Sequence, residues 1–446
     1  MALVEKDDSR FVCKYSVITL TFTNKDNREE QINFNFPSIM SIEYVLNIEN
    51  NLTSMIKISF KLDLNKKNWI IRNRRNLEVI FNLGMHKINQ NNDESESSGE
   101  LIFEGTYIPI FTESTTATDS TVSADAIDAE ISDKTADLNE EVYSAGEEVM
   151  DVYLFKEKIL KCSRLSCNFV FKKDTLQNIV GALLKKTHHE KVLMNKFQNE
   201  EEYIEMLIPE NPLYRCLMYL DQYYGFYKAG AIIFYDNDQL YILDSSFKEP
   251  VGTEDEKLNV TLLVDTQTNT SPIRGIVEKT NDKEQYIHIS ESEINATKAS
   301  WINESDTGSK IYMNTVNPES DKENEEKNAL LESEIEYIGK RRMKRYMNID
   351  HENKYAKETF DARLNENESV LFVNAQNVNL NFLKPNKLFK VIFDNPRKKI
   401  VHAQCKYRLA MAHSFLSIED NAYFTASHRF ILKKCGGELH NENKDD

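Results

Sequence analysis

Glycine and proline are scarce in this 446-residue chain, at 13 and 9 residues, which excludes a collagen-like or proline-rich polymer. Long apolar runs are missing as well. None approaches the roughly 20 residues of a membrane-spanning helix, and Met1-Ala-Leu-Val-Glu-Lys-Asp-Asp is too polar for a secretory signal, so synthesis in a cytoplasm without membrane insertion is expected. Positive charge is also short: Lys+Arg number 55 against 72 Asp+Glu, a net −17 that opposes stable, general binding to a nucleic-acid backbone. Cysteine is sparse, and Cys13, Cys162, Cys167, Cys216, Cys405 and Cys435 sit mostly within apolar strand or helix patterns, where reduced, structural thiols are expected.

The common catalytic signatures are missing too. No G-x-G-x-x-G, G-x-x-x-x-G-K or G-x-S-x-G occurs, and Gly436-Gly437 stands isolated. His188-His189-Glu190 lacks the i, i+4 spacing of a helical zinc pair, and Cys162 with Cys167 has no matching Cys/His pair downstream. His402, His413 and His428 would approach one another if the last two strands paired, but histidines on neighbouring strands are more often solvated or core-satisfied than ligands. Carboxylates are too abundant for any one pair to be informative. No catalytic, cofactor-binding or metal-binding residue is therefore assigned, no cofactor is expected, and the chain reads as a non-enzyme.

What is present is strand periodicity. Val17, Thr19, Thr21 and Thr23 alternate with Ile18, Leu20 and Phe22, and residues 32–36, 55–62, 76–83 and 101–108 repeat a period of two. An antiparallel barrel or sandwich is the economical architecture for such a run. Residues 89–99 read as a long hairpin tip. Residues 112–150 form a Thr/Ser/Ala/Asp/Glu tract too poor in apolar surface to fold by itself, a peripheral insertion or, on a functional reading, an acidic docking tail.

Strands resume at 152–155 and 167–171, then the period changes. Asp174-Thr-Leu-Gln is a capping box ahead of a helix to about Thr187, and a second helix is expected over 200–207. Asn211 as N-cap, Pro212 at the first helical position and Gly225 as terminator frame a helix whose Leu213, Leu217, Leu220 and Tyr224 share one face. It runs into a hairpin, 230–235 and 240–243, reversed by Asp236-Asn237-Asp238.

Residues 250–318 carry only weak strand patterns, such as 260–264 and 286–289. A helix is expected over 320–347, acidic early and basic late (Lys340, Arg341, Arg342, Lys344, Arg345), which complements its dipole or docks an acidic partner. A charged helix at 355–364 and four strands, near 369–375, 388–393, 400–413 and 422–432, close the chain. The fold class is thus β-rich α+β: two antiparallel β-barrel-like domains, 1–172 with the acidic insertion at 112–150 and 346–446 with a polar C-terminal tail, flank a mixed α/β middle region, 173–345.

The order of the closing hundred residues carries a resemblance. Helix 355–364, strand 369–376, Leu383-Lys-Pro-Asn-Lys, Leu388-Phe-Lys-Val-Ile-Phe and the strand pair 401–413 and 423–432 resemble the closing barrel of the central baseplate hub protein of contractile bacteriophage tails, related to the hub portion of type VI secretion spikes. Tyr224-Gly225-Phe226-Tyr227, Gly230, Phe234, Asp236, Tyr241 and Leu243 are similar to a helix-hairpin in the middle of those hubs. The resemblance implies a structural virion protein of the tail baseplate: a homotrimer whose two barrels per subunit adapt a sixfold tail tube to a threefold central spike. It implies self, the tail tube protein, the central spike protein and other baseplate proteins as partners, with DNA passing through an acidic ring without adhering. A carbohydrate-binding or adhesin-like tail protein using exposed aromatics is the alternative, and a hydrolase with scattered carboxylates a third reading.

Overall fold

The computed structural model describes residues 10–49, 51–89, 99–111, 147–187, 191–247, 250–252, 259–265, 275–277, 284–290, 294–297, 310–311, 332–337, 341–346, 355, 359, 370–393, 406–418 and 423–435. The first region supplies β1 (Arg10–Asn24), β2 (Gln31–Asn33), β3 (Ile39–Asn47), β4 (Met55–Asp63), β5 (Leu77–Asn89), β6 (Glu100–Phe103), β7 (Thr106–Phe111) and β8 (Glu147–Lys156). Period-two alternation decides their inward faces: Ile42, Tyr44 and Leu46 of β3 and Ile56, Ile58, Phe60 and Leu62 of β4 are buried. In β1 the parity switches, Cys13 and Tyr15 inward and then Leu20 and Phe22, because a bulge between Val17 and Thr19 inserts one residue. Ile18, apolar and in phase with Leu20, is therefore left 56% exposed.

The middle holds β9 (Ser166–Thr175), β10 (Val192–Met194), β11 (Glu202–Pro212), β12 (Ala231–Asp236) and β13 (Gln239–Asp244). Four α-helices occur among the described residues: α1 (Leu64–Asn73), α2 (Glu157–Arg164), α3 (Leu176–Lys186) and α4 (Leu213–Tyr224). Beyond them lie β14 (Asn259–Asp265), β15 (Gly275–Val277), β16 (Glu284–Ser290), β17 (Ile294–Thr297), β18 (Lys310–Ile311), β19 (Glu332–Tyr337), β20 (Arg341–Tyr346), β21 (Val370–Gln376), β22 (Leu388–Phe393), β23 (Lys406–Ile418) and β24 (Phe424–Cys435).

The fold is β-rich, as expected, but pairing crosses the boundaries drawn from the sequence. A closed circuit of eight antiparallel strands runs β1, β5, β7, β8, β4, β3, β23, β24 and back to β1. A second circuit runs from β1 through β15, β16, β14, β22, β23 and β24. The two share β1, β23 and β24. A single apolar core from Cys13 to Cys435 fills both and takes in Leu193, Ile232, Phe234, Tyr241 and Leu243 of the middle, whose other apolar residues, between Cys167 and Ile242, form a second core.

Several local expectations are corrected. Residues 200–207 are not helical: β11 pairs antiparallel with β9, burying Met206 and Ile208 while Glu205 and Leu207 face out, a period of two hidden by apolar residues on both faces. The helix expected at 320–347 is contradicted by β19 and β20. Glu332, Glu334 and Glu336 recur at alternate positions, and the register sets Glu334 opposite Lys344 and Glu336 opposite Arg342. The acidic tract ends at Glu147, since Glu147–Met150 already pair with β4; residues 112–146 lie outside the described residues. Most of the 355–364 helix lies outside them too, except for a helical bond from Thr359 N to Tyr355 O of 2.8 Å. Helix α1 was not anticipated; Asp63 caps it by accepting from Lys66 N at 2.9 Å, which holds the Asp63 carboxyl below its ordinary range.

Candidate functional site at the seam of the helix-hairpin unit

The helix-hairpin is assembled by polar sutures around an aromatic joint. Its N-cap is Pro212, not Asn211, and the β11–β9 ladder runs up to it, Asn211 opposite Cys167 and Pro212 opposite Ser166. Leu213, Cys216, Leu217, Leu220 and Tyr224 form its buried face, as the spacing demanded, with Cys216 added. Gly225 ends it at φ 76°, a conformation that favours glycine. Asp221 then ties the helix end to the hairpin: one carboxylate oxygen accepts from Phe226 N at 3.0 Å, the other from Ala231 N at 3.2 Å.

Asn199, only 1% exposed, donates its amide to Tyr224 O at 3.0 Å and Gly225 O at 3.1 Å, satisfying carbonyls the helix cannot pair itself. Phe197 stacks on Phe226 at 4.4 Å, and the Tyr227 hydroxyl donates to Asn195 O at 3.0 Å and Ile242 O at 3.2 Å. Burial raises the Tyr227 phenol far above its ordinary range, with Asp244 and Asp221 adding to it. From the C-terminal side, Tyr355 donates its hydroxyl to Gln198 O at 2.9 Å and Thr359 to Lys228 O at 3.0 Å.

The opposite end of the unit, the tip Asp236-Asn237-Asp238, is seated on the first strand circuit. Tyr44 of β3 donates to Asp236 Oδ1 at 2.6 Å, Tyr107 of β7 to Asn237 Oδ1 at 3.1 Å, and Lys156 of β8 lies 3.4 Å from Asp238. Burial, then the Asp236 carboxylate, pushes the Tyr44 phenol well up, so it stays a donor. Lys156, 5% exposed, is pulled down by burial and partly restored by Asp238; it also donates to Glu104 O at 2.6 Å and lies 4.2 Å from the centre of the Tyr107 ring. Gly105, at φ 120°, makes room for it, since a Cβ there would meet the ammonium at 2.8 Å. Backbone joins in: Tyr235 N donates to Leu52 O at 2.7 Å and Ser54 N to Tyr235 O at 2.9 Å, a parallel bridge between strand circuit and hairpin.

The residues weighed for chemistry fall elsewhere. The last two strands do pair, yet His413 and His428 face opposite ways. His413 Nε2 lies 3.3 Å from Glu43 on the outer side; His428 is buried, with Val378 N donating to Nε2 at 3.2 Å and Nδ1 2.8 Å from Ser414 Oγ. Burial lowers His428 to about 3, the behaviour of a neutral core residue. His402, His188-His189-Glu190 and Gly436-Gly437 lie outside the described residues. Cys13, Cys167, Cys216 and Cys435 are buried, and burial followed by the neighbouring Cys167 pushes the Cys216 thiol up to about 12. Among the described residues no three His, Cys, Asp or Glu side chains are grouped to hold a metal ion. Sequence reading missed Tyr44, Tyr107, Lys156 and Asn199. A signal existed for the first two: each tyrosine occupies an inward position of its strand, where its hydroxyl must find a partner.

No curated protein matches the sequence. Among solved structures, a tail protein from Neisseria meningitidis MC58 is 10% identical, with a TM-score of 0.46 over 95% of this chain and 96% of that one. The 43 kDa tail protein of prophage MuSo2 from Shewanella oneidensis is 10% identical, with a TM-score of 0.39 over 94% and 96%. The E. coli c3393 protein, described as a type VI secretion component with structural similarity to T4 tail proteins gp27 and gp5, is 9% identical, with a TM-score of 0.40 over 90% and 74%. The family described as Bacteriophage PBS1 gene 109 protein matches residues 11–435, and the chain belongs to that family.

Proposed function

We propose that this chain is a structural protein of a phage tail baseplate, a hub that assembles as a homotrimer between the sixfold tail tube and the threefold central spike. The observation that carries this reading is the pair of closed strand circuits held together by β1, β23 and β24. Each circuit would be one lobe, so three copies would present six lobes while keeping only threefold symmetry, which is what joining the two symmetries requires. Membership of a bacteriophage family supports the virion setting, and the buried, hydrogen-bonded state of His428 and of the aromatic joint supports a structural use of these groups. Three copies would carry three times −17, or −51, and an acidic lumen would let DNA pass without adhering. The exposed phenylalanines among the described residues are Phe372 and Phe415, on different strands, a thin basis for a sugar platform.

Light scattering of the purified full-length chain tests the assembly. Three times 51.9 kDa is the expected mass. A strictly monomeric species at micromolar concentration, with tube and spike proteins present, would overturn the reading.

A further inference from the structure

One stretch of this acidic chain is strongly basic. On and around α1, Lys61, Lys66, Lys67, Arg72, Arg74 and Arg75 stand against a single acid, Asp63, although the whole chain carries −17. Asp63 caps the helix and lies 3.6 Å from Lys66, and Glu148 pairs with Lys67. Lys61, Arg72, Arg74 and Arg75 are exposed and join no ion pair among the described residues. The same surface is also apolar. Ile70 anchors α1 in the shared core at 1% exposed, while Leu64 and Ile71 are 54% and 44% exposed. With the exposed Asn68 they recur at i, i+4 and i+7, one stripe turned outward with Lys67 and Arg72 on its flanks.

The chain supplies a matching segment close by. Residues 112–146 hold nine Asp and Glu against one base, Lys134. Ile127, Ile131, Leu138 and Val142 follow at spacings of four, seven and four, which a helix would gather into one stripe with Asp128, Glu130, Asp137 and Glu141 beside it. That is too little apolar surface to fold alone and enough to pair with a second stripe. The segment is also rooted at α1: it ends at Glu147, whose register partner in β4 is Asp63, the cap of the helix. Two other acidic stretches start elsewhere. Residues 93–96 leave β5 from Asn89, about 40 Å of strand away from the end that follows α1. Residues 319–326 lie between β18 and β19, in a sheet that pairs with no other among the described residues.

We infer that the outer face of α1 is the docking site of this chain's own residues 112–146, stripe against stripe, with carboxylates beside Arg72, Arg74 and Arg75. A tether ending at the helix cap holds the segment at an effective concentration of about millimolar, so weak contacts suffice. A nucleic acid would have to displace this tethered polyanion and approach a chain of net −17. A second copy's segment would dock without the advantage of the tether. The inference goes beyond the hub reading and holds whether or not the chain trimerises.

Lys134 is the one trypsin site between 112 and 146. The full-length chain and a synthetic peptide of residues 124–146 are digested side by side at about 50 mM salt, where screening is weak, and the initial rate of cleavage after Lys134 is read by mass spectrometry. Protection of about tenfold over the peptide is expected. It should be largely lost when Arg72→Glu, Arg74→Glu and Arg75→Glu are combined and kept when Arg72→Lys, Arg74→Lys and Arg75→Lys are combined. Ile127→Ser with Ile131→Ser, which leaves α1 untouched, should remove it again. Cleavage of the wild-type chain as fast as the peptide, or protection that survives both the Glu and the Ser changes, overturns the proposal. Protection that rises with protein concentration overturns it in favour of a second copy. Binding of a DNA single strand of about 20 nucleotides that the Arg→Glu changes abolish overturns it in favour of a nucleic acid.

Discussion

The strand circuits and the helix-hairpin unit are stabilised in different ways. In the circuits the partners are remote: β3 pairs with β23, and Tyr15 donates to Val378 O at 2.5 Å across 363 residues. The helix-hairpin core is drawn from Cys167 to Ile242, and its order depends on single polar side chains, Asp221 and Asn199 among them. Many parallel ladders make the first region tolerant of losing one bond. The second concentrates its stability in a few sutures, so it should open as a unit while the circuits remain closed. Chain order points the same way, because local contacts form before remote ones and the first circuit cannot close until β24 exists.

The severest break in that comparison is Tyr227→Ala. It empties a fully buried ring position and leaves two carbonyls without their donor, a loss of about 3–5 kcal/mol. Hydrogen exchange in rising urea should show residues 166–247 losing protection well before β3, β4 and β5 do. One common transition at the wild-type midpoint would mean that the two regions are a single cooperative body. A smaller, pH-dependent effect belongs to the circuits. Burial holds His428 at about 3 in the fold, whereas the unfolded chain titrates near 6.5, so as pH falls the unfolded chain takes up the proton first. The His428 contribution is complete above about pH 6.5 and is lost as pH falls towards 3, on the order of 3 kcal/mol between pH 7 and 4. Carboxylates add their own acid dependence, so the measure is the difference between wild type and His428→Gln. Identical slopes in the two proteins would show that His428 is not the buried neutral group described.

Much of each region was legible, for different reasons. Alternation announced β1, β4 and β5 because one face of each must be buried, and β24 was expected as a strand, where His428 proves to lie in the inward series with Ala426 and Phe430. Alternation does not name a neighbour, so the pairing of β3 with β23 and of β1 with β24 could not be read, and two self-contained barrels were the simpler expectation. The bulge at Ile18 was invisible for a related reason: one extra residue changes facing without changing composition. Around the hairpin, Leu213, Leu217, Leu220, Tyr224 and Gly225 were readable from local rules. Asn199 was not, since its role depends on a helix end 25 residues further on.

The mildest test lies on the seam, where the two regions meet. Tyr44→Phe removes one hydroxyl and leaves the ring, so the circuit's packing is retained while Asp236 Oδ1 loses a 2.6 Å donor in a site where Tyr44 is 3% and Asp236 5% exposed. A buried carboxylate deprived of a hydrogen bond costs about 1–3 kcal/mol. If the seam merely holds two independently stable bodies together, that cost should appear as loosened docking: faster exchange at Tyr235 and Ser54, whose backbone bonds join hairpin to circuit, with little change inside α4 or β5. If instead Asp236 organises the hairpin itself, α4 and β13 should lose protection together with it. A double-mutant cycle with Asp236→Asn separates the cases, because the coupling energy vanishes only when the hydroxyl and the carboxylate do not act on each other.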